Sequence, residues 1–294
     1  MDITRRIEQA LLSAVATADR PGCPPRLAAA VRHAVFPGGA RIRPQLCLAV
    51  AQACGDDMPR LSDAAAVSIE LLHCASLVHD DLPCFDDADM RRGKPSVHRA
   101  FGERLAVLAG DALIVLAFQH LAQGAAGMPG RLPGLLGTVA RGVGMPTGIA
   151  AGQAWECETR VALADYQRAK TGALFAAATM AGAQAAGSDP LGWQGLGEWL
   201  GEAYQVADDI RDVAMDAAAL GKPNGQDAAH GRPSAAHQLG MSGAIAYFEQ
   251  LITRASDSIP DCRGAGALRA LLRHEAERLL PKSMSEELTR LAAE

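Results

Sequence analysis

The sequence predicts a single all-α domain, a bundle of roughly ten or more helices. Alanine and leucine dominate the chain while aromatic residues make up only 4%, a composition that favours helix. Apolar residues recur at helical spacing, and no Val/Ile/Thr alternation suggests a sheet. Nothing longer than a loop separates two apolar stretches, so residues 1–294 read as one domain. With 49% hydrophobic residues the chain can bury a large core.

The elements follow in order. Ile3 to Ala18 reads as an amphipathic helix, closed by Pro21, Gly22, Pro24 and Pro25. A second helix runs from Arg26 to Val35 and stops at Pro37-Gly38-Gly39. Pro44 can sit in the first turn of a third, which ends near Cys54. From Ser62 to about Leu82, Val67, Leu71, Leu72, Ala75 and Val78 fall on one helical stripe. Pro83 lacks an amide donor and should end that helix. Arg91 to Pro95 reads as a loop, and Leu105 to Leu121 as helix again. Tyr166 to Ala186, Leu196 to Ala219, Ser242 to Ser256 and Gly266 to Leu280 complete the helices. Gly221 to Pro233, rich in glycine and proline, reads as a loop on the active face.

Composition excludes several functions. A net charge of −5 argues against nucleic-acid binding, which needs a basic face. Seven cysteines, an odd number without a C-x-x-C pair, predict neither a disulfide framework nor a zinc site and suit a cytoplasmic location. The N-terminus lacks the apolar core of a signal peptide, and the longest apolar runs are broken by Glu70 with His73 and by Asp111, so no membrane span is expected.

Two acidic clusters carry the chemistry. The first is His79-Asp80-Asp81-Leu82-Pro83-Cys84-Phe85-Asp86-Asp87, the second Gln205-Val206-Ala207-Asp208-Asp209-Ile210-Arg211-Asp212. Each sits in or at the end of an apolar helix, where carboxylates repel one another unless a cation lies between them. Asp208 and Asp212 share a helical face. Asp80 and Asp87 would share one on a straight helix and Asp80 and Asp86 would not, but unwinding at Pro83 could return either later aspartate to a metal. One or two carboxylates, completed by water and phosphate oxygens, suit Mg²⁺. Cations accompany both clusters: Arg91 and Arg92 after the first, Lys222 and Arg232 after the second, Lys170-Thr171 at another helix, and Arg41 and Arg43 in Gly38-Gly39-Ala40-Arg41-Ile42-Arg43-Pro44. Together they suggest a pocket for phosphate groups. His79 and Asp111 read as fold-supporting residues.

These motifs, in order from about Pro37 to Pro233, resemble the trans-isoprenyl diphosphate synthases, and within them the bacterial geranylgeranyl diphosphate synthases. The resemblance makes Asp80, Asp81 and Asp86 the first aspartate-rich motif and Asp208, Asp209 and Asp212 the second. It implies an isoprenoid-synthase fold with the helices around a central cavity, a homodimer, and three Mg²⁺ bridging these aspartates to an allylic diphosphate. Arg91, Lys170, Thr171, Gln205, Lys222 and Arg232 match positions that bind or face that substrate, with Lys170 and Lys222 also assisting catalysis. Arg43, His73 and Arg92 match positions that hold isopentenyl diphosphate. The product implied is geranylgeranyl diphosphate; farnesyl diphosphate and a catalytically silent regulatory subunit are the alternatives. The chain departs from the family pattern at Ala40, where a lysine is usual and where Arg41 or Arg43 would have to compensate. Arg232 replaces a usual lysine and Tyr204 a common phenylalanine. One helical turn before Asp80, about 5.4 Å along the axis, Ala75 and Ser76 are small, so the chain-length pocket should extend past them.

Overall fold

The computed structural model describes residues 3–36, 38–159, 166, 168–214 and 234–281. Among them are twelve α-helices. The first four are α1 (Ile3–Ala16), α2 (Pro25–Val35), α3 (Ile42–Ala53) and α4 (Pro59–Asp80). A hairpin of two short strands, β1 (Met90–Arg91) and β2 (Lys94–Pro95), follows α4. Then come α5 (Val97–Phe101), α6 (Glu103–Gly124), α7 (Leu132–Val143), α8 (Ile149–Ala154), α9 (Ala173–Ala185), α10 (Gln194–Ala214), α11 (Ala235–Asp257) and α12 (Ala265–Leu279).

The all-α expectation holds, with instructive differences. Helix α4 stops at Asp80, three residues before Pro83, as the missing amide requires. The stretch read as a loop is a tight hairpin, with Met90 opposite Pro95 and Arg91 opposite Lys94. Its two turn residues, Arg92 and Gly93, both have positive φ (54° and 74°), the conformation that a two-residue hairpin demands. Helices α7 and α8 escaped the sequence reading, α7 because Pro133, Gly134, Gly137 and Gly142 mask its pattern and α8 because its six residues are too few to show one. Yet Leu135, Thr138, Val139 and Gly142 form the buried stripe of α7, and Pro133 is tolerated in its first turn. Helix α11 begins seven residues earlier than expected and kinks at Gly240, whose φ is 69°.

Helix α9 is apolar on nearly every side, the mark of a central element, and packs against α3, α4, α7 and α10. Small residues let the backbones approach closely. A Cβ on Gly182 would lie 2.2 Å from the Cys47 carbonyl oxygen of α3, and one on Gly197 would lie 2.4 Å from Ala176 Cα. The main apolar core joins α1, α2, α4, α6, α7 and α9, and two smaller clusters join α10 to α11 and α12. Helices α4 and α6 have the length and apolar content of a membrane span, but 78% of the α4 window is buried inside the bundle. For α6 the figure is 39%, which leaves an apolar face outward.

Candidate active site

One cavity of about 1220 Å³ opens between the C-terminal end of α4, the hairpin, α8, the turn before α9, and α10. Asp80, Asp86, Asp208 and Asp212 all line it, so residues about 120 positions apart in sequence meet there. Asp80 is the last residue of α4, at the negative end of the helix dipole, where a carboxylate is disfavoured and a cation welcome. Burial raises its pKa above the usual carboxylate range; Asp86 pushes the same way, while Lys170 and Arg91 pull it back.

The chain after Asp80 unwinds and folds back. The Asp86 amide donates to the Asp80 carbonyl at 3.0 Å and the Ala88 amide to the Asp81 carbonyl at 3.2 Å. This turn returns Asp86 to Asp80, while Asp87, with φ 45°, lies 3.4 Å from Arg99.

The middle aspartate of each motif behaves differently from the expectation. Asp81, 2% exposed, does not line the large cavity and accepts from Arg91 Nε at 2.9 Å and also from its Nη2. Asp209, 1% exposed, turns away too: Oδ1 accepts from Gln205 Nε2 at 2.9 Å and Oδ2 from the Ala235 amide at 2.7 Å. The reason is the helical period: on α10 a residue adjacent to Asp208 points about 100° away from it. Asp209 thus joins the first amide of α11 to Gln205, whose Oε1 accepts from Thr171 at 3.1 Å. Asp208 remains open, its side chain 48% exposed beside Arg211.

Lys170 lies in a π-helical turn, Arg168–Gly172, a distortion common at functional sites. Its Nζ is 3.5 Å from Asp80 Oδ1 and also donates to Glu156. Glu156 accepts from Tyr166 at 2.6 Å and Gln153 at 3.2 Å as well. Sequence reasoning missed Glu156, because an acid in the mixed stretch after α8, with Glu158 two residues on, has no spacing that marks a site.

A second constellation is basic. His73 Nε2 lies 3.4 Å from Arg43 Nη1 and 3.3 Å from Arg92 Nη2. Burial, then Arg43 and Arg92, hold the imidazole pKa well below its usual value, so the ring is neutral and accepts. The predicted trio of Arg43, His73 and Arg92 is therefore together. Gly39 makes room for it, since a Cβ there would come within 3.0 Å of the Arg92 guanidinium. Arg41 is elsewhere engaged: it bonds Glu8 at 2.8 Å, Glu70 at 2.6 Å and the Val35 carbonyl at 2.7 Å. Burial works against its charge, but Glu70 and Glu8 outweigh it and raise the pKa. Breaking a buried pair of this kind costs about 3–5 kcal/mol, so Arg41 cannot compensate for Ala40.

Ala75 and Ser76, on α4, line the cavity. His79 and Asp111 were read as fold-supporting; both instead line the cavity, 4.0 Å apart, and the Asp111 side chain is 60% exposed on α6. Lys222 and Arg232 lie outside the described residues.

The donors are carboxylate oxygens, which suit a hard cation. Among the described residues no three acidic, histidine or cysteine side chains converge on one point. This set therefore fits Mg²⁺ completed by water and phosphate oxygens better than a cation caged by protein alone.

Comparisons with known proteins give the chain a family. The family model described as polyprenyl synthetase matches residues 24–262. A geranylgeranyl diphosphate synthase of Cereibacter sphaeroides is 53% identical over 285 residues, covering 97% of this chain and 99% of that protein. One of Rhodobacter capsulatus is 50% identical over 287 residues, covering 98% and 99%. The crystal structure of a geranyltransferase from Helicobacter pylori, complexed with magnesium and isoprenyl diphosphate, superimposes with a TM-score of 0.74 at 30% identity, covering 95% of this chain and 96% of that one.

Proposed function

The chain belongs to the polyprenyl synthetase family and is a prenyltransferase, and on that premise we propose that it condenses isopentenyl diphosphate head to tail with allylic diphosphates to yield geranylgeranyl diphosphate. The carrying observation is that Asp80, Asp86, Asp208 and Asp212 line one cavity with Lys170, Arg43, His73 and Arg92. The two relatives of 50% and 53% identity, both named for that product, support the choice of product.

The four cavity carboxylates would hold Mg²⁺, three ions by the family pattern, which when bound supply positive charge to the leaving diphosphate. Lys170, between Glu156 and Asp80, is poised to add a further cation to the same oxygens. Thr171 and Gln205, bonded to each other, orient the allylic substrate. Lys222 and Arg232 belong to this group by the family pattern. Arg91 faces the allylic diphosphate while holding Asp81. Arg43 and Arg92 grip the second diphosphate, with neutral His73 spacing their guanidinium groups. That grip brings the isopentenyl double bond to the carbon from which diphosphate departs. The new carbon–carbon bond leaves a cation that loses a proton to the departing diphosphate. Leu72, Ile114, Val143 and Ile149 make much of the cavity wall apolar, shielding the cation from water. The growing chain passes Ala75 and Ser76, which are too small to stop it.

The working form is a homodimer in the cytoplasm. The outward apolar face of α6 supports the dimer, and seven free cysteines support a reducing compartment. Turnover of isopentenyl diphosphate with each allylic primer, with Mg²⁺ and with EDTA, tests the whole reading. Metal-dependent geranylgeranyl diphosphate is expected. A farnesyl product would keep the chemistry and overturn the chain-length assignment. No product from a folded chain would favour the silent subunit.

A further inference from the structure

The site for the second diphosphate carries Ala40 where the family pattern has a cation, and its own segment does not replace it. Arg41 is committed to Glu70, Glu8 and the Val35 carbonyl. Arg43 already meets His73 and lies 4.3 Å over the Phe175 ring. A cation from a distant element stands in the same cavity. Arg278, on the last turn of α12, lines it together with Gly39, Ala40 and Arg43. The connection to Arg43 is continuous: the Phe175 and Tyr204 rings are 4.8 Å apart, and Tyr204 Oη accepts from Arg278 Nη2 at 2.6 Å.

Arg278 is held rather than free. Glu275, its side chain 4% exposed, accepts from Arg278 Nε at 2.9 Å and from Tyr204 Oη at 2.8 Å. These contacts use Nε and Nη2, and Nη1 makes no hydrogen bond to the described residues. The side chain is 37% exposed, so the guanidinium is clamped on one edge and accessible on the other. An arginine fork fixed in this way is pre-organised for phosphate oxygens.

We propose that Arg278 is a binding residue for the diphosphate of isopentenyl diphosphate, supplying from α12 the cation that position 40 lacks. The inference rests on the condensation reading above. It is tested on the full-length chain with Mg²⁺. R278M is expected to raise KM for isopentenyl diphosphate about tenfold, as loss of one charge-assisted contact implies. KM for the allylic partner should move by less than about twofold, and R278K should retain most of the affinity. A40K in the R278M chain should restore it. An equal rise in both KM values, or a fall in kcat with both KM values unchanged, would make Arg278 a structural residue and overturn the proposal. Calorimetric titration of wild type and R278M with isopentenyl diphosphate separates the two readings. Equal affinities sink the role of Arg278 alone, whereas a wild-type chain that neither binds nor converts isopentenyl diphosphate sinks the condensation reading and this inference with it.

Discussion

His73 sits between two guanidinium groups in a half-buried wall, and its neutrality has a measurable consequence. Unfolded, its ring would titrate near its ordinary value of about 6.5; folded, it titrates well below that. As pH falls through the unfolded value, the unfolded chain takes a proton that the native ring refuses, so stability is lost with acid and intact above that window. H73Q keeps an acceptor and cannot titrate. Its urea midpoint should therefore decline less between pH 7 and 5 than that of wild type; parallel declines would refute the assignment. Glu156 holds Lys170 beside Asp80 through a carboxylate that also binds Tyr166 and Gln153. E156Q should lower kcat about 10- to 100-fold, the usual range for a residue that orients a neighbour in the site, and E156D should recover part of it. An E156Q rate equal to wild type would show that Lys170 needs no such support.

At the scale of elements, α4 does two things: its end presents Asp80, and its last turns form the cavity wall through Ala75 and Ser76. Because Ala75 is 1% exposed yet lines the cavity, a ring there would enter the path of the growing chain. A75Y is expected to change the main product from geranylgeranyl to farnesyl diphosphate, read by chain-length analysis; an unchanged profile would move the floor elsewhere. Close packing of α9 on α3 is equally specific. G182A forces a methyl group to within 2.2 Å of a backbone oxygen, and such overpacking should destabilise the chain by about 1–3 kcal/mol in urea unfolding. The hairpin and the π-helical turn were not anticipated from sequence. Neither has a periodic pattern, and each is held in shape by what it touches.

For the whole molecule, the open feature is the outer face of α6. Leu108 and Val115, seven residues apart on α6, are 50% and 65% exposed there. Apolar residues grouped on one helix face are what a partner surface requires. The double variant L108E/V115E should sediment as a monomer where wild type sediments as a dimer, with its helical content retained. A wild-type monomer would remove the proposed assembly.

Much of the site was legible because its chemistry needs repeated acids in apolar helices, a pattern that survives without knowledge of the fold. The motifs around Asp80 and Asp208 and the stop before Pro83 could be read from residue type and spacing, whereas the trio of Arg43, His73 and Arg92 came only from the family resemblance. Tertiary structure decided which acids face the cavity. Asp81 and Asp209 carry the same side chain as their neighbours, but the helical period and a partner, Arg91 for one and the Ala235 amide for the other, turn them away. It likewise committed Arg41 to Glu70 and brought Glu156 and Arg278 to the site from segments with no motif. Spacing along a chain reports only contacts within an element, whereas these positions depend on how separate helices cross, which is set by packing across the entire core.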